Sequence, residues 1–115
     1  MSDTFLPLKQ VDVLILTMLT AGERHGYGIR QDIIEHTSGA LQLEAANLYR
    51  SIRRLTDLGF VDETGRRPAR DADDERRRYY RITAAGRRVL AAEMLRLRAL
   101  VRLAESRRLI PPEPA

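Results

Sequence analysis

Residues 44–61, EAANLYRSIRRLTDLGFV, combine arginine side chains with a regular apolar pattern, and the rest of the chain is organised around them. Apolar side chains recur there at helical spacing and predict a helix with one buried face, made of Leu48, Ile52, Leu55 and Leu58. On or beside the opposite face lie Tyr49, Arg50, Arg53 and Arg54. Guanidinium groups match phosphates and guanine edges with a planar fork of donors, so this face is suited to a nucleic acid. The pattern is equally typical of arginines that only solvate the outer face of a core helix.

Few other residues are placed for catalysis or metal binding. His25 and His36 have Asp32 and Glu35 nearby, but their spacing along the chain fits no common ligand pattern. His25 stands in a glycine turn, where a hydrogen bond to the backbone is the simpler expectation. The sequence shows no nucleophile elbow, no phosphate loop and no convergent acid and base. We therefore predict neither an enzyme activity nor a metal or cofactor.

Length and composition narrow the class of protein further. A chain of 115 residues forms one domain with a modest core. It contains no cysteine, no signal peptide and no apolar run of about 18 residues, so we expect a cytoplasmic protein without a membrane role. The net charge of +4 is unevenly spread, because residues 1–44 carry three basic and six acidic side chains. The total is mild for a nucleic-acid binder, so the distribution matters more, and the basic groups lie in the C-terminal two thirds of the chain.

Hydrophobic periodicity predicts two more helices ahead of the basic one. Residues 8–20 have the broad apolar stripe of a buried first helix. Residues 25–28, HGYG, open a second helix, which ends at residues 37–39. Leu41-Gln42-Leu43 alternates over three residues, enough for a short edge strand before the third helix.

A hairpin is predicted behind the basic helix. Gly59 is suited to a left-handed C-cap, Phe60-Val61 begin a strand, and the chain returns as a strand at residues 78–82. The predicted fold class is therefore mainly α with a small β-hairpin, in the element order of a winged helix-turn-helix. Residues 1–82 would form this DNA-binding domain.

The segment between the two predicted strands, TGRRPARDADDERRR, carries no apolar residue larger than alanine. It cannot bury itself, so we expect a mobile hairpin tip, the wing. Its arginines are candidates for the minor groove or for phosphates: Arg66, Arg67, Arg70, Arg76, Arg77 and Arg78. Ion pairs within the loop are an equally good explanation for any single arginine. Four acidic residues lie among the arginines: Asp71, Asp73, Asp74 and Glu75.

In a winged helix the third helix enters a DNA groove, where side chains near its start reach base edges and later ones meet the backbone. The predicted DNA-contacting set is Ala45, Ala46, Asn47, Tyr49, Arg50, Arg53 and Arg54, joined by Arg76, Arg77 and Arg78 of the wing. Ala45 or Ala46 would touch a thymine methyl group and Arg50 would fork onto a guanine. Tyr49 would bond a phosphate, or else occupy a half-buried core position.

A long final helix is predicted over residues 83–110, with Thr83 as its N-cap and residues 111–115 as a tail. Its apolar residues are spaced 4, 3, 4 and 3 apart, as in the seam of a coiled coil: Leu90, Met94, Leu97, Val101 and Ala104. One face can pack on the first helix. We expect that one face of the final helix packs on the first helix of the same chain and that another face contacts a second subunit. The seam would then form a dimer interface.

Three motifs together resemble the PadR family of bacterial transcriptional regulators. They are His25-Gly26-Tyr27 with Ile29, then Asn47-Leu48-Tyr49-Arg50 with Arg54-Leu55 and Gly59-Phe60-Val61, then Arg78-Tyr79-Tyr80-Arg81-Ile82-Thr83 with Gly86. The short chain is similar to the compact PadR subfamily, in which a single C-terminal helix replaces a larger dimerisation domain. The resemblance implies a homodimer that binds a pseudo-palindromic operator in double-stranded DNA, usually as a repressor released by a small molecule.

Two features depart from the family's pattern. Glu44 stands where many relatives cap the third helix with Ser, Thr or Asn. The final helix also lacks the aromatic side chains with which some compact relatives hold flat drugs, so a multidrug-sensing role is not carried over. In a different class of function, the same fold would serve protein contacts, with the basic helix facing an acidic partner.

Overall fold

The computed structural model describes residues 5–66 and 78–114, and these residues form four helices and three strands. In chain order they are α1 (Gln10–Leu19), β1 (Arg24–His25), α2 (Gly26–His36), α3 (Ala45–Asp57), β2 (Val61–Arg66), β3 (Arg78–Ile82) and α4 (Ala84–Ser106). The predicted winged helix-turn-helix fold is confirmed.

The core lies where α1, α2 and α3 meet the sheet and the first turns of α4. Its buried apolar side chains are Ile15, Leu16, Leu19, Ile29, Ile33, Leu48, Ile52, Leu55, Phe60, Val61, Tyr80, Ile82 and Leu90. The apolar stripe predicted for the third helix is confirmed for its first three members, and Leu58 at the C-cap is exposed. Each large apolar side chain buried here contributes roughly 1.5–3 kcal/mol, which holds α3 by its inner face and leaves its outer face in solvent.

The end of α3 is formed as the sequence predicts. Gly59 has a φ of 84°, the left-handed conformation that glycine adopts at little cost. Its N–H donates to the carbonyl of Thr56, and the N–H of Phe60 donates to that of Leu55. This pairing satisfies the last carbonyls of the helix and turns the chain sharply into β2.

The sheet differs from the prediction in its third strand. Its order is β1-β3-β2, and Arg24 and His25 pair antiparallel with Tyr80 and Tyr79 of β3. The edge strand predicted at residues 41–43 is wrong, since that segment is an irregular connection. The physical reason is that β1 already occupies the free edge of β3, and Arg30 Nε donates instead to the carbonyl of Leu43 at 2.7 Å.

Helix α4 begins in the core and extends beyond it. Thr83 is the N-cap, as predicted, and its hydroxyl accepts from the N–H of Gly86 at 3.0 Å. The helix ends at Ser106, short of the predicted end at residue 110, with Arg108 in the left-handed region at a φ of 61°. Among the described residues, no helix has both the length and the apolar character needed to cross a membrane.

Candidate nucleic-acid interface

The exposed face of α3 carries the first part of the site. Ala45, Ala46, Asn47, Arg50 and Arg53 are all exposed there. Arg50 Nη1 donates to Asn47 Oδ1 at 2.8 Å, one helical turn away. Within the described residues, neither Arg50 nor Arg53 forms an ion pair. Two uncompensated guanidinium groups therefore project from this face, together with small side chains that let a ligand approach the backbone.

Tyr49 is half-buried beside this face and packs on the start of α2. A methyl group added at Gly26 would lie 2.5 Å from Tyr49 Cε1, so the glycine makes room for the phenol ring. This position agrees with the core alternative that the sequence left open for Tyr49. Contact of its hydroxyl with a phosphate stays a prediction.

Arg54 points toward α1 instead of the outer face. Its Nη2 lies 2.5 Å from Oδ1 of Asp12, a side chain that is only 7% exposed. The pair joins positions 42 residues apart in sequence. Sequence reasoning missed Asp12, although its spacing of three, four and seven residues from Ile15, Leu16 and Leu19 places it on the buried face of the first helix. Arg54 therefore helps to hold α3 against α1.

The start of α3 lacks the side-chain cap that helices usually have. Glu44 occupies the N-cap position and makes no side-chain capping bond. Gln42 does not replace it: its amide nitrogen donates to the carbonyl of Gly39 at 3.0 Å, and among the described residues its amide oxygen accepts from no N–H of α3. The first N–H groups of α3 thus stay available at the exposed end of the helix, where they and the positive end of the helix dipole favour an anion.

The hairpin behind α3 carries the second part of the site. Arg78 Nε lies 3.9 Å from Glu63 Oε2, and Arg81 Nη2 lies 3.5 Å from Asp62 Oδ2. The register shifts between Glu63 and Gly65, a bulge in β2. Of the wing arginines predicted to contact DNA, Arg76 and Arg77 lie outside the described residues, as do Arg67 and Arg70, and Arg66 is described only as part of β2.

His25 has a structural position, as the glycine turn predicted. Its Nδ1 accepts from the N–H of Gly28 at 2.8 Å and so caps α2. Burial, and then the charge of Arg24, lower the pKa of His25, while the charge of Asp32 opposes them. The ring lies edge-on to Tyr79, with centroids 5.4 Å apart. In the described part of the chain, no three His, Asp or Glu side chains are grouped to hold a metal.

The predicted seam of α4 divides into two parts. Leu90 is 7% exposed and packs in the domain's own core, which leaves little of its side chain for a second subunit, and its place in a dimer interface stays a prediction. Met94 and Val101 are exposed, while Leu97 and Ala104 are half-buried. Leu95, Leu100 and Leu103 add further exposed apolar surface along the same helix.

A basic exposed helix, held by its apolar face and followed at once by a β-hairpin, defines the winged-helix class of DNA-binding regulators. A family model described as the transcriptional regulator PadR-like family matches residues 15–92. The chain belongs to this family, as the three sequence motifs predicted. Members of the family are transcriptional regulators and not enzymes.

Individual proteins resemble the chain in sequence or in fold. An uncharacterized protein of Lysinibacillus sphaericus is 31% identical over 81 residues, which cover 70% of this chain and 72% of that protein. A PadR family regulator of Clostridium difficile superposes with a TM-score of 0.72 at 19% identity, over 85% of this chain and 97% of that one. PadR of Bacillus subtilis, solved in complex with operator DNA, has a TM-score of 0.63 at 20% identity, over 93% of this chain and 50% of that one.

Proposed function

We propose that this chain is a homodimeric repressor that binds a pseudo-palindromic operator in double-stranded DNA. The observation that carries the proposal is the outer face of α3, where Arg50 and Arg53 are exposed and no carboxylate of the described residues pairs with them. Exposed arginines without an ionic partner also occur on solvated helix faces, and what favours a nucleic acid here is that these two lie on the helix that runs directly into the hairpin. The operator complex of B. subtilis PadR supports DNA as the partner.

The roles of the side chains follow from their places on the helix. Ala45 and Ala46, at the start of α3, are small enough to meet a thymine methyl group. Arg50, one turn further, would fork onto the N7 and O6 atoms of a guanine, and Arg53 would meet the phosphate backbone. Arg78, with Arg76 and Arg77, would contact the duplex from the wing. We leave Arg54 out of this set, because Asp12 already binds its guanidinium.

The dimer would be made by α4. Leu97, Leu100, Val101 and Ala104 have the i, i+3, i+4, i+7 spacing of one helix face, and this face continues past the part of α4 that the domain covers. A second copy of the helix is the simplest cover. Release by a small molecule is the part of the proposal that rests on the family resemblance alone, and the cytoplasm follows from DNA as the partner.

Arg50→Ala tests the central claim. With duplexes first selected from random DNA by the wild-type protein, the variant should lose about 1–3 kcal/mol of binding free energy, the range of a bidentate base contact. Its affinity for unselected DNA should change little. Titration of both duplexes with both proteins gives the comparison.

The rival function, a winged helix that binds an acidic protein, predicts a different result. Wild-type protein would then select no DNA sequence, and its weak binding to duplexes would not depend on Arg50. The salt dependence adds a second criterion, since each phosphate that the protein neutralises steepens the fall of log K with log salt by about 0.9.

A further inference from the structure

A groove separates the outer side of α3 from the hairpin. From α3 it is lined by Tyr49, Ile52, Arg53, Thr56 and Asp57, and from the hairpin by Glu63, Arg78 and Tyr80. Glu63 is the cross-strand neighbour of Tyr80, so both lie on the side of the hairpin that faces α3. Arg78, two residues before Tyr80, lies on that side as well. The groove therefore brings a cation from the helix and a cation from the wing to one place.

The two cations differ in their partners. Arg53 forms no ion pair or hydrogen bond within the described residues. Arg78 has Glu63 as its partner, but the pair is loose: Nε and Oε2 are 3.9 Å apart, beyond hydrogen-bonding distance. The Nε atom is buried and, among the described residues, has no hydrogen-bond acceptor. The guanidinium of Arg78 thus lies near a carboxylate, but its Nε–H forms no hydrogen bond with that carboxylate.

We propose that this groove binds one phosphate of the DNA backbone between Arg53 and Arg78, and that Glu63 occupies Arg78 in the free protein and is displaced by that phosphate. The inference rests on the proposed function and names a contact and a competitor within it. A phosphate offers charge-assisted bidentate hydrogen bonds to a guanidinium, which the present distance denies to Glu63. Since the side chains of Arg78 and Glu63 are both about one third exposed, their pair is weak and its exchange costs little.

The neighbouring pair on the hairpin provides a matched control. Asp62 pairs with Arg81 at 3.5 Å, one residue away from Glu63 and on the opposite face of the strands. Glu63→Gln and Asp62→Asn each remove one negative charge from β2 and keep the shape of the side chain. Any difference between them therefore reports the place of the charge and not its amount. Asp57 also lines the groove and has no cation partner in the described part of the chain. Asp57→Asn therefore measures what DNA binding gains when a negative charge is removed without releasing an arginine.

The experiment titrates a duplex of random sequence with wild type and the three variants, after thermal melts have shown that each is folded. Glu63→Gln should bind about two- to fivefold more tightly than wild type, the scale of a partly exposed charge interaction. Asp62→Asn and Asp57→Asn should each gain less than twofold. In an Arg78→Gln background, Glu63→Gln should lose its advantage over Asp62→Asn, and Arg53→Gln alone should reduce the salt slope by about 0.9.

Equal gains for Glu63→Gln and Asp62→Asn would overturn the inference, and so would an advantage of Glu63→Gln that survives the loss of Arg78. A wild-type protein that binds no duplex at all would refute the proposed function itself. The two failures are therefore told apart by the wild-type titration.

Discussion

At the scale of single residues, the Asp12–Arg54 pair is the most consequential contact that local sequence patterns do not reveal. The carboxylate is nearly enclosed, while the arginine side chain is 36% exposed. The two partners are therefore not equivalent. An unpaired Arg54 can turn into water, whereas an unpaired Asp12 stays among apolar side chains as an uncompensated charge.

We expect Arg54→Met to lower the free energy of unfolding by about 3 kcal/mol, because it strands the buried carboxylate. Asp12→Asn should cost only about 1 kcal/mol, since the amide still accepts a hydrogen bond. Urea denaturation of the two variants and wild type measures both values. Equal costs would show that Asp12 is hydrated in solution, contrary to its burial here.

His25 makes the start of α2 sensitive to pH. The folded protein lowers the pKa of His25 below the unfolded value of about 6.5, first because the ring is partly buried and then because the charge of Arg24 lies nearby. The stabilising contribution is therefore complete above about pH 6.5 and is lost as the pH falls through the lower, folded pKa. Wild type should therefore lose stability as the pH falls below about 6.5.

His25→Asn is the control for this pH dependence. Asparagine is a good N-cap and does not titrate, while every carboxylate of the protein is kept. Thermal melts across this pH range should give a flatter profile for the variant than for wild type. Parallel profiles would exclude His25 as the titrating group.

At the scale of elements, Thr83 joins the end of the third helix to the start of the fourth. Its hydroxyl donates to the carbonyl of Gly59 at 2.7 Å while accepting from the N–H of Gly86, and its own N–H donates to the carbonyl of Phe60 at 3.0 Å. One residue thus fixes the angle between the helix proposed to meet DNA and the helix proposed to meet a second subunit.

Gly86→Ala tests how closely these elements must approach. The added methyl group would lie 2.2 Å from the Phe60 carbonyl oxygen, which belongs to the backbone and is held by Thr83. Helix propensity favours alanine by about 1 kcal/mol, but overpacking against backbone costs about 1–3 kcal/mol. We expect a net loss of about 1 kcal/mol in chemical denaturation, the middle of the range that these two effects leave. Ala91→Gly, at an exposed position of α4, calibrates propensity alone, and a stabilised Gly86→Ala protein would contradict the packing described here.

These elements also show which parts of the structure could be predicted from the sequence alone. The α3 stripe, the Gly59 cap and the Thr83 cap depend on residues within one or two turns of each other, and their periodicity and spacing predicted them. The Arg24–His25 strand has only two residues and no alternation, so its position depends on the free edge of a distant strand. The same holds for the candidate site: the helix pattern predicted that Arg50 and Arg53 lie on the exposed face of α3, whereas the position of Arg54 depends on where α1 packs.

At the scale of the whole molecule, α4 has more apolar surface than one domain covers. Met94, Leu95, Leu100, Val101 and Leu103 are between 39% and 57% exposed. Burying a large apolar side chain contributes on the order of 1.5–3 kcal/mol, so a partner helix that covers Met94, Leu100 and Val101 would gain substantially. Two α3 helices held by such a pair would reach successive turns of the major groove, roughly 34–36 Å apart.

Replacing Leu97 and Val101 together with glutamate should give a monomer that binds the selected operator at least about 100-fold more weakly, because only one half-site is held. Sedimentation beside a binding titration checks both parts. The double change of Ala91 and Ala99 to glutamate adds the same charge to other, exposed positions of α4 and should leave the dimer intact. A variant that stays dimeric would place the interface elsewhere, and a monomer with normal operator affinity would separate assembly from recognition.

The pairing of β1 with β3 has a consequence for how the chain is made. During synthesis Arg24 and His25 leave the ribosome long before Tyr79 and Tyr80, which are their only strand partners in the described sheet. The nascent chain can pack α1, α2 and α3 on one another, but the sheet closes only when β3 follows. A ribosome that stalls in the wing would therefore release a product with an unfinished core and an unpaired strand edge, which is a substrate for proteolysis.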